Sequence, residues 1–177
     1  MIRYRYKGAK LLFVGINQHH GSYVRGIPFS NNKLFWYLLA DSGILSESRD
    51  KLRDDSALRR VYHTRFGNSA RLGFVNMVDR PSRDVTELKR GEELRGRARL
   101  RRIIKAGQPR VICFVGKISY EKFLGSKSFE FGWQADINGS RAFVMHFPQH
   151  GPAVVRVREL QIVAKAAGIP LFRNKLL

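Results

Sequence analysis

The residues most suited to chemistry follow a short apolar run near the start of the chain. The run LLFVG at 11–15 leads into Ile16 and the neutral amide Asn17, and the aromatic Phe29 comes shortly after. A neutral amide can hold a water molecule, backbone N–H groups beyond a strand can stabilise a charged oxygen, and an aromatic ring can stack on a planar base. These groups suit hydrolysis of the N-glycosidic bond of a deoxynucleotide, which passes through an oxocarbenium-like state.

The commoner catalytic patterns are missing from the sequence. No histidine pairs with a Glu in the i, i+4 spacing of zinc proteases, and none has the paired-Cys spacing of a zinc finger. The segment GINQHHGS at 15–22 lacks the Gly-Lys-Ser/Thr ending of a phosphate-binding loop, and there is no Gly-x-Ser-x-Gly elbow. We therefore expect no metal site and no small-molecule cofactor.

Composition points to a polyanionic partner. The 177 residues suit one domain, 1–177, and 33 Lys and Arg against 14 Asp and Glu give a formal net charge of +19. The apolar runs are far shorter than the ~20 residues that span a bilayer, and no signal-peptide pattern is visible. We expect a monomer that binds nucleic acid, located in the cytoplasm or at the nucleoid, with the single Cys113 as a core residue.

Apolar runs and helical periods alternate along the chain. Strands are predicted at 11–15, 110–116 and 141–146, with a mixed segment of strand and loop at 72–82 on the sheet edge. Helices are predicted at 34–44, 47–63, 85–107, 118–125 and 154–168, the third starting only near Glu92 because Gly91 and Gly96 weaken it. This alternation favours a three-layer α/β/α sandwich around a central, mainly parallel sheet.

The site should lie where the parallel strands end. In open α/β sheets, ligands bind outside the carboxyl ends of the strands. The segments that follow the predicted strands are 15–17, 116–117 and 147–151, and the first and third carry the unusual polar residues. We expect these segments to converge on one pocket.

Short motifs in a fixed order connect the chain to a known family. They are GINQH (15–19), GIPF (26–29), Phe35–Trp36, FVNMVDRPS (74–82), QPRVICFVGKISYEKF (108–123) and FGWQ (131–134). In order and spacing, roughly over 10–165, they resemble the mismatch-specific uracil-DNA glycosylases and thymine-DNA glycosylases, family 2 of the uracil-DNA glycosylase superfamily. The resemblance implies a monofunctional DNA N-glycosylase that flips uracil or thymine out of mismatched double-stranded DNA and leaves an abasic site.

The resemblance also implies roles for individual residues. Asn17 is the catalytic residue that orients the water, Phe29 stacks on the flipped base, and Asn76 reaches the base edge. The substrate-binding set is completed by Ile16, Gln18, Ser22 and His150. The loop at 147–154 takes the place of the segment that wedges into the duplex, so Gln149, Gly151 and Ala153 are expected at the DNA. Arg25 and Lys117 lie beside pocket loops and are expected to contact phosphates.

The chain departs from the family at both loops, and these departures leave alternatives open. Gln18 and His19 replace a Pro-Gly pair, the second loop reads QHGP, and Ala153 is small for a wedge. One alternative is a glycosylase of the same fold for hypoxanthine or another damaged base, and another is a non-catalytic nucleic-acid-binding protein. At single positions, Asn17 could be a turn residue, Phe29 a core aromatic, and Arg80 part of an ion pair.

Overall fold

A five-stranded sheet forms the centre of the computed structural model, which describes residues 2–67 and 71–172. Its strands are β1 (Leu11–Gly15), β2 (Leu72–Asn76), β3 (Val111–Val115), β4 (Gly132–Ile137) and β5 (Ser140–Met145). The strand order is β2-β1-β3-β5-β4, in which the first four strands are parallel and β4 is antiparallel to β5. The predicted mainly parallel sheet is confirmed, with β2 at an edge.

Helices cover both faces of the sheet. They are α1 (His20–Arg25), α2 (Leu34–Asp41), α3 (Arg49–Arg53), α4 (Asp55–Arg65), α5 (Glu92–Gly107), α6 (Lys117–Leu124) and α7 (Ala153–Ala167). Because side chains alternate along a strand, Leu11 and Phe13 enter a core with α2, α4 and α7, whereas Leu12 and Val14 enter a second core with α5 and α6. The three-layer α/β/α architecture is confirmed. Cys113 is fully buried in the first core, as expected.

Several predicted segments differ from the structure, among them the helix predicted at 34–44, which ends at Asp41. The segment after His19, interpreted as a loop, forms the short helix α1, because the His19 side chain accepts the N–H of Gly21 and caps it. The helix predicted at 47–63 is two helices, since Asp54 has extended backbone and caps the start of α4. The third strand was predicted to end at His146, but β5 ends one residue earlier.

The edge strand β4 was missed by the sequence analysis. β4 is only partly buried, and its sequence GWQADI contains no continuous apolar run that would predict a buried strand. The signal that could have found it is the pair Asn138–Gly139, which joins β4 to β5. Both residues have positive φ angles, 50° and 80°, as a two-residue hairpin turn requires.

Helix α5 begins at Glu92, as expected, and contains the glycine that weakened its prediction. A Cβ at Gly96 would lie 1.9 Å from the carbonyl oxygen of Met77. Gly96 is therefore the residue that lets α5 approach the segment after β2. Within the described residues, no helix combines the length and apolar character needed to cross a membrane.

Candidate active site

A pocket of about 610 Å³ opens at the carboxyl ends of the parallel strands. Its walls come from the segment after β1, the end of β2, the start of α6 and the loop after β5, so the expected convergence of these segments is confirmed. Nine predicted site residues line it: Ile16, Asn17, Gln18, Ser22, Phe29, Asn76, Lys117, Gln149 and His150. Arg25, Gly151 and Ala153 lie outside the lining.

Asn17 is held by a neighbour that the sequence analysis did not single out. Its Nδ2 donates a hydrogen bond to the Ser82 hydroxyl oxygen at 2.6 Å. Ser82 is fully buried, and its backbone N–H donates to the Gln18 carbonyl at 3.0 Å. The Val78 N–H donates to the Ile16 carbonyl at 2.8 Å, so the two loops are joined on both sides of Asn17. Since Nδ2 is engaged, Oδ1 is the amide atom left to accept a hydrogen bond from a ligand or water.

An aromatic wall and a buried amide meet at the end of β1. The Phe29 ring packs 4.8 Å from Phe35 and 5.1 Å from Phe74, measured between centroids. Its backbone has φ 52°, a left-handed conformation that a bulky residue rarely adopts. A Cβ at Gly15 would lie 2.2 Å from Asn76 Oδ1 and 3.3 Å from Phe29 Cζ, so only glycine fits between them.

The Asn76 amide is one of two buried amides in the pocket wall whose oxygen has no hydrogen-bond partner among the described residues, and the other is Gln18. Asn76 is 3% exposed, and its Oδ1 has no hydrogen-bond partner among the described residues. Its backbone carbonyl accepts from Arg99 Nη2 at 2.6 Å, which ties the end of β2 to helix α5. Burial raises the pKa of the nearby Tyr4 hydroxyl and a side-chain hydrogen bond with Asn76 lowers it, so the Asn76 side chain interacts with Tyr4 inside the protein.

Three polar residues of the first loop are engaged with the protein itself. Gln18 is buried, and its Nε2 donates to the Asp79 carbonyl. The Ser22 hydroxyl accepts the backbone N–H of Asn31 at 3.0 Å. His19 Nδ1 accepts the N–H of Gly21 at 3.0 Å, which leaves Nε2 as the ring's other hydrogen-bonding atom in the pocket wall. Their side chains thus shape the loop that carries Asn17.

A histidine–carboxylate pair lies in the pocket wall and was missed by the sequence analysis. His146, directly after β5, has its Nδ1 2.7 Å from Glu159 Oε1 of helix α7, and Glu159 Oε2 accepts the His146 backbone N–H at 3.0 Å. Glu159 is 8% exposed. The imidazole stacks on Phe131 with centroids 3.6 Å apart and planes inclined by 19°. Among the described residues, Nε2 of this ring has no partner, and His146 lines the pocket.

Comparison with protein families identifies the fold. Residues 3–164 match the family model of the uracil DNA glycosylase superfamily. The chain belongs to this superfamily. Its members are DNA N-glycosylases, hydrolases that act on damaged bases in base excision repair, and the three-layer architecture of this chain is consistent with their fold.

In this superfamily member, a buried arginine of α7 holds the pocket loop that follows β5, residues 147–151, by hydrogen bonds to its backbone. Arg156 of α7 is 4% exposed and donates to the carbonyls of His150 and Gly151, the latter at 2.7 Å. Gly151 has φ 73°, a conformation that L side chains rarely adopt. Ala153 is exposed at the first position of α7, and its neighbour Val154 is 71% exposed. Val154 is therefore the larger apolar side chain beside the predicted wedge position.

The two residues predicted to contact phosphates, Arg25 and Lys117, each form an ion pair within the glycosylase. Arg25 Nε is 3.0 Å from Asp55, and hydrogen bonds from Lys33 and Arg25 hold the pKa of Asp55 below its ordinary value. Lys117, at the pocket rim, has its Nζ 4.7 Å from the Phe131 ring centroid and 3.4 Å from Glu130. Both side chains remain partly exposed.

Arginines after β2 and along α5 divide into structural and exposed ones. Arg80 forms the ion pair with Glu92 that was one interpretation of its sequence position, with Nε 2.9 Å from the carboxylate. Arg97 donates twice to the Lys122 carbonyl. The segment RGRARLRR at 95–102 is rich in arginine, and its Arg95 and Arg102 are exposed and can face a ligand.

Proposed function

We propose that this glycosylase removes uracil, with thymine as a second base, from mismatched double-stranded DNA, as in the mismatch-specific branch of the superfamily. The observation that carries the proposal is the presence of two amide side chains in the wall of one pocket, Asn17, which is fixed through Ser82, and Asn76, at the end of β2. Uracil and thymine both carry an N3–H that an amide oxygen can accept. The Phe29 ring provides the stacking surface for a flipped base.

The proposed reaction is hydrolysis of the N-glycosidic bond. Asn17 Oδ1 accepts a hydrogen bond from a water molecule and directs the water oxygen toward the sugar C1′. The C1′–N bond breaks, its electron pair leaves with the base, and the water oxygen bonds to C1′. The proton that the water loses ends on the departing base, and the products are the free base and an abasic site. No lysine is required, so no strand cleavage is expected.

His146 is proposed to assist departure of the base. An ionised carboxylate can only accept hydrogen bonds, so Glu159 fixes a proton on Nδ1 and leaves Nε2 for the pocket. When the ring is protonated, Nε2–H can donate to a base oxygen that gains negative charge as the bond breaks. The stacked Phe131 ring holds the imidazole plane in place.

A second candidate substrate is hypoxanthine, and the same histidine favours it. A departing purine is stabilised by a proton at a ring nitrogen, which Nε2–H of His146 could supply and which Asn17 could not. Both substrates use the same water and the same bond cleavage, so they differ only in the atom that His146 reaches.

A panel of duplexes tests both candidates. Duplexes with G·U, A·U, G·T and hypoxanthine·T pairs are incubated with excess enzyme and then treated with alkali to reveal abasic sites. Preferred excision from G·U supports the proposed function, whereas excision of hypoxanthine alone assigns the second candidate. Loss of excision from the best duplex in Asn17→Ala, with partial activity in the isosteric Asn17→Asp, supports the role of this residue. Binding without excision from any duplex would refute the enzymatic proposal.

A further inference from the structure

A shallow, open groove lies at the end of the sheet opposite the pocket. This groove, of about 780 Å³, runs between the start of β2 and the C-terminal half of α7. Arg71, Arg158 and Lys165 line it together with apolar and neutral residues, and none of the described residues in its wall is acidic. Lys10 and Arg110 adjoin it, and we call these five cations the rear cluster.

Backbone pairing brings three members of the rear cluster side by side. Lys10, Arg71 and Arg110 each directly precede one of the strands β1, β2 and β3. The Lys10 N–H donates to the Arg71 carbonyl at 2.8 Å, and the Lys10 carbonyl accepts the N–H of Val111. Neighbouring strands are about 4.8 Å apart, so the backbones of these three residues lie side by side at the amino-terminal end of the sheet.

The rear cluster has no counter-charge within the described part of the protein. Among residues 2–67 and 71–172, none of its five members is within ion-pair distance of a carboxylate. Repulsion from Arg71 and then Arg110 lowers the pKa of Lys10, as expected for like charges held together. The charge is therefore available to an external anion.

The end of helix α7 accounts for only part of this charge. Arg71 Nη1 donates to the Gly168 carbonyl at 3.4 Å, and a Cβ at Gly168 would lie 2.7 Å from Arg110 Nη1. Cations near a helix C-terminus stabilise the helix, but the effect is small, and Arg71 and Arg110 are enough to provide it. Within the described ranges, the side chains of the other three members make no such contact.

We propose that the rear cluster binds the phosphate backbone of a second segment of double-stranded DNA. Neighbouring cations that have no acidic residue among the described residues around them suit a polyanion such as double-stranded DNA. The parallel strands have five or six residues and are about 16 Å long, so the groove and the pocket face opposite ends of the sheet. A duplex at the pocket therefore leaves the rear cluster open to another segment. The proposal rests on the superfamily's action on DNA and not on which base is removed.

Two binding faces would let the enzyme hold one segment while it engages the next. The second contact becomes intramolecular once the first has formed, so its effective concentration rises without any new affinity at the pocket. Transfer between segments would then be faster than complete dissociation and rebinding.

A two-duplex capture assay tests the proposal without damaged bases. An undamaged duplex is fixed to beads, saturated with protein, washed and presented with a second, labelled duplex. We expect the wild type to capture the label and the triple variant Lys10→Gln/Arg71→Gln/Arg110→Gln to capture at least about tenfold less. The slope of log capture constant against log salt should become shallower by about 0.9 for each phosphate that the variant no longer neutralises.

Two further variants keep the test decisive. Arg158→Gln/Lys165→Gln removes two exposed charges of α7 whose side chains make no backbone contact among the described residues. This double variant should also reduce capture, so the proposal remains testable if the triple variant misfolds. The control Lys51→Gln/Arg59→Gln/Arg60→Gln removes the same charge from α3 and α4 and should capture within about twofold of wild type. Equal capture by wild type and both rear variants would overturn the proposal. The proposal would also be overturned if the rear variants still capture the duplex but no longer bind phosphatidylserine vesicles. That result would assign the rear cluster to an anionic membrane surface.

Discussion

The hydrogen bond from Asn17 to Ser82 makes the most specific mechanistic prediction. Ser82→Ala removes the oxygen that accepts from Asn17 Nδ2 at 2.6 Å and changes no atom that could touch the substrate's sugar. The amide would then be free to rotate, and Oδ1 would hold the attacking water for less of the time. Ser82 is thus a positioning residue.

The size of the effect follows from the geometry. One uncharged hydrogen bond contributes about 0.5–1.5 kcal/mol, and half-buried Asn17 can replace it with water, so the full cost of an unpaired buried donor does not apply. If all of this free energy is lost from the transition state, the excision rate falls by about 2- to 13-fold. The thermal midpoint should fall by no more than a few degrees, because the fold loses at most the same hydrogen-bond free energy.

Single-turnover excision from the best duplex measures the rate of the chemical step. In an Asn17→Ala background, Ser82→Ala should have no further effect, because the two residues act as one unit. Ser140→Ala is the matched control, since Ser140 is also buried, 1% exposed, and its hydroxyl has no partner among the described residues. A Ser82→Ala enzyme as fast as wild type, or a further decrease in the Asn17→Ala background, would refute the positioning role.

Three other perturbations follow from the site and its supports. Gly15→Ala places a Cβ 2.2 Å from Asn76 Oδ1 and should cost about 1–3 kcal/mol of stability together with most of the excision activity, measured by denaturation and single-turnover rates. His146→Gln should slow excision by about 10- to 1000-fold while duplex binding is unchanged, and equal rates would remove this residue from the mechanism. The Arg80 hydrogen bond lowers the pKa of Glu92, so this ion pair stabilises the fold above the ordinary Glu pKa and is lost as pH falls through the lowered value. Glu92→Gln should therefore lower stability by up to about 1 kcal/mol near pH 7 and by progressively less as the pH falls through the lowered pKa, and a difference that stays constant as the pH falls would contradict this assignment.

Sequence reasoning located the pocket because the topology of parallel sheets leaves little choice. Once LLFVG and RVICFVG are recognised as buried parallel strands, the polar residues that follow them must lie together at the carboxyl ends of the strands. The short amide loop after β1 and the loop after β5 therefore came together in the structure as expected.

The pairs that tune the pocket could not be predicted in the same way. His146 and Glu159 lie on a strand end and a helix, and only their three-dimensional packing shows that they touch. Ser82 was visible within FVNMVDRPS but gave no local sign that its hydroxyl accepts from Asn17. The rear cluster likewise depends on strand register, which aligns Lys10 with Arg71 across different parts of the chain.

Excision of uracil by wild type and Asn17→Ala is the most direct test of the central claim. Both proteins are added in excess to a G·U duplex, and abasic-site formation is followed over time at equal duplex occupancy. We predict release of uracil by the wild type and a rate about 100- to 1000-fold lower in the variant, as for removal of a group that positions charge and water in a transition state. Equal rates in the two proteins, or no excision by either while the duplex stays bound, would contradict the proposed role of Asn17.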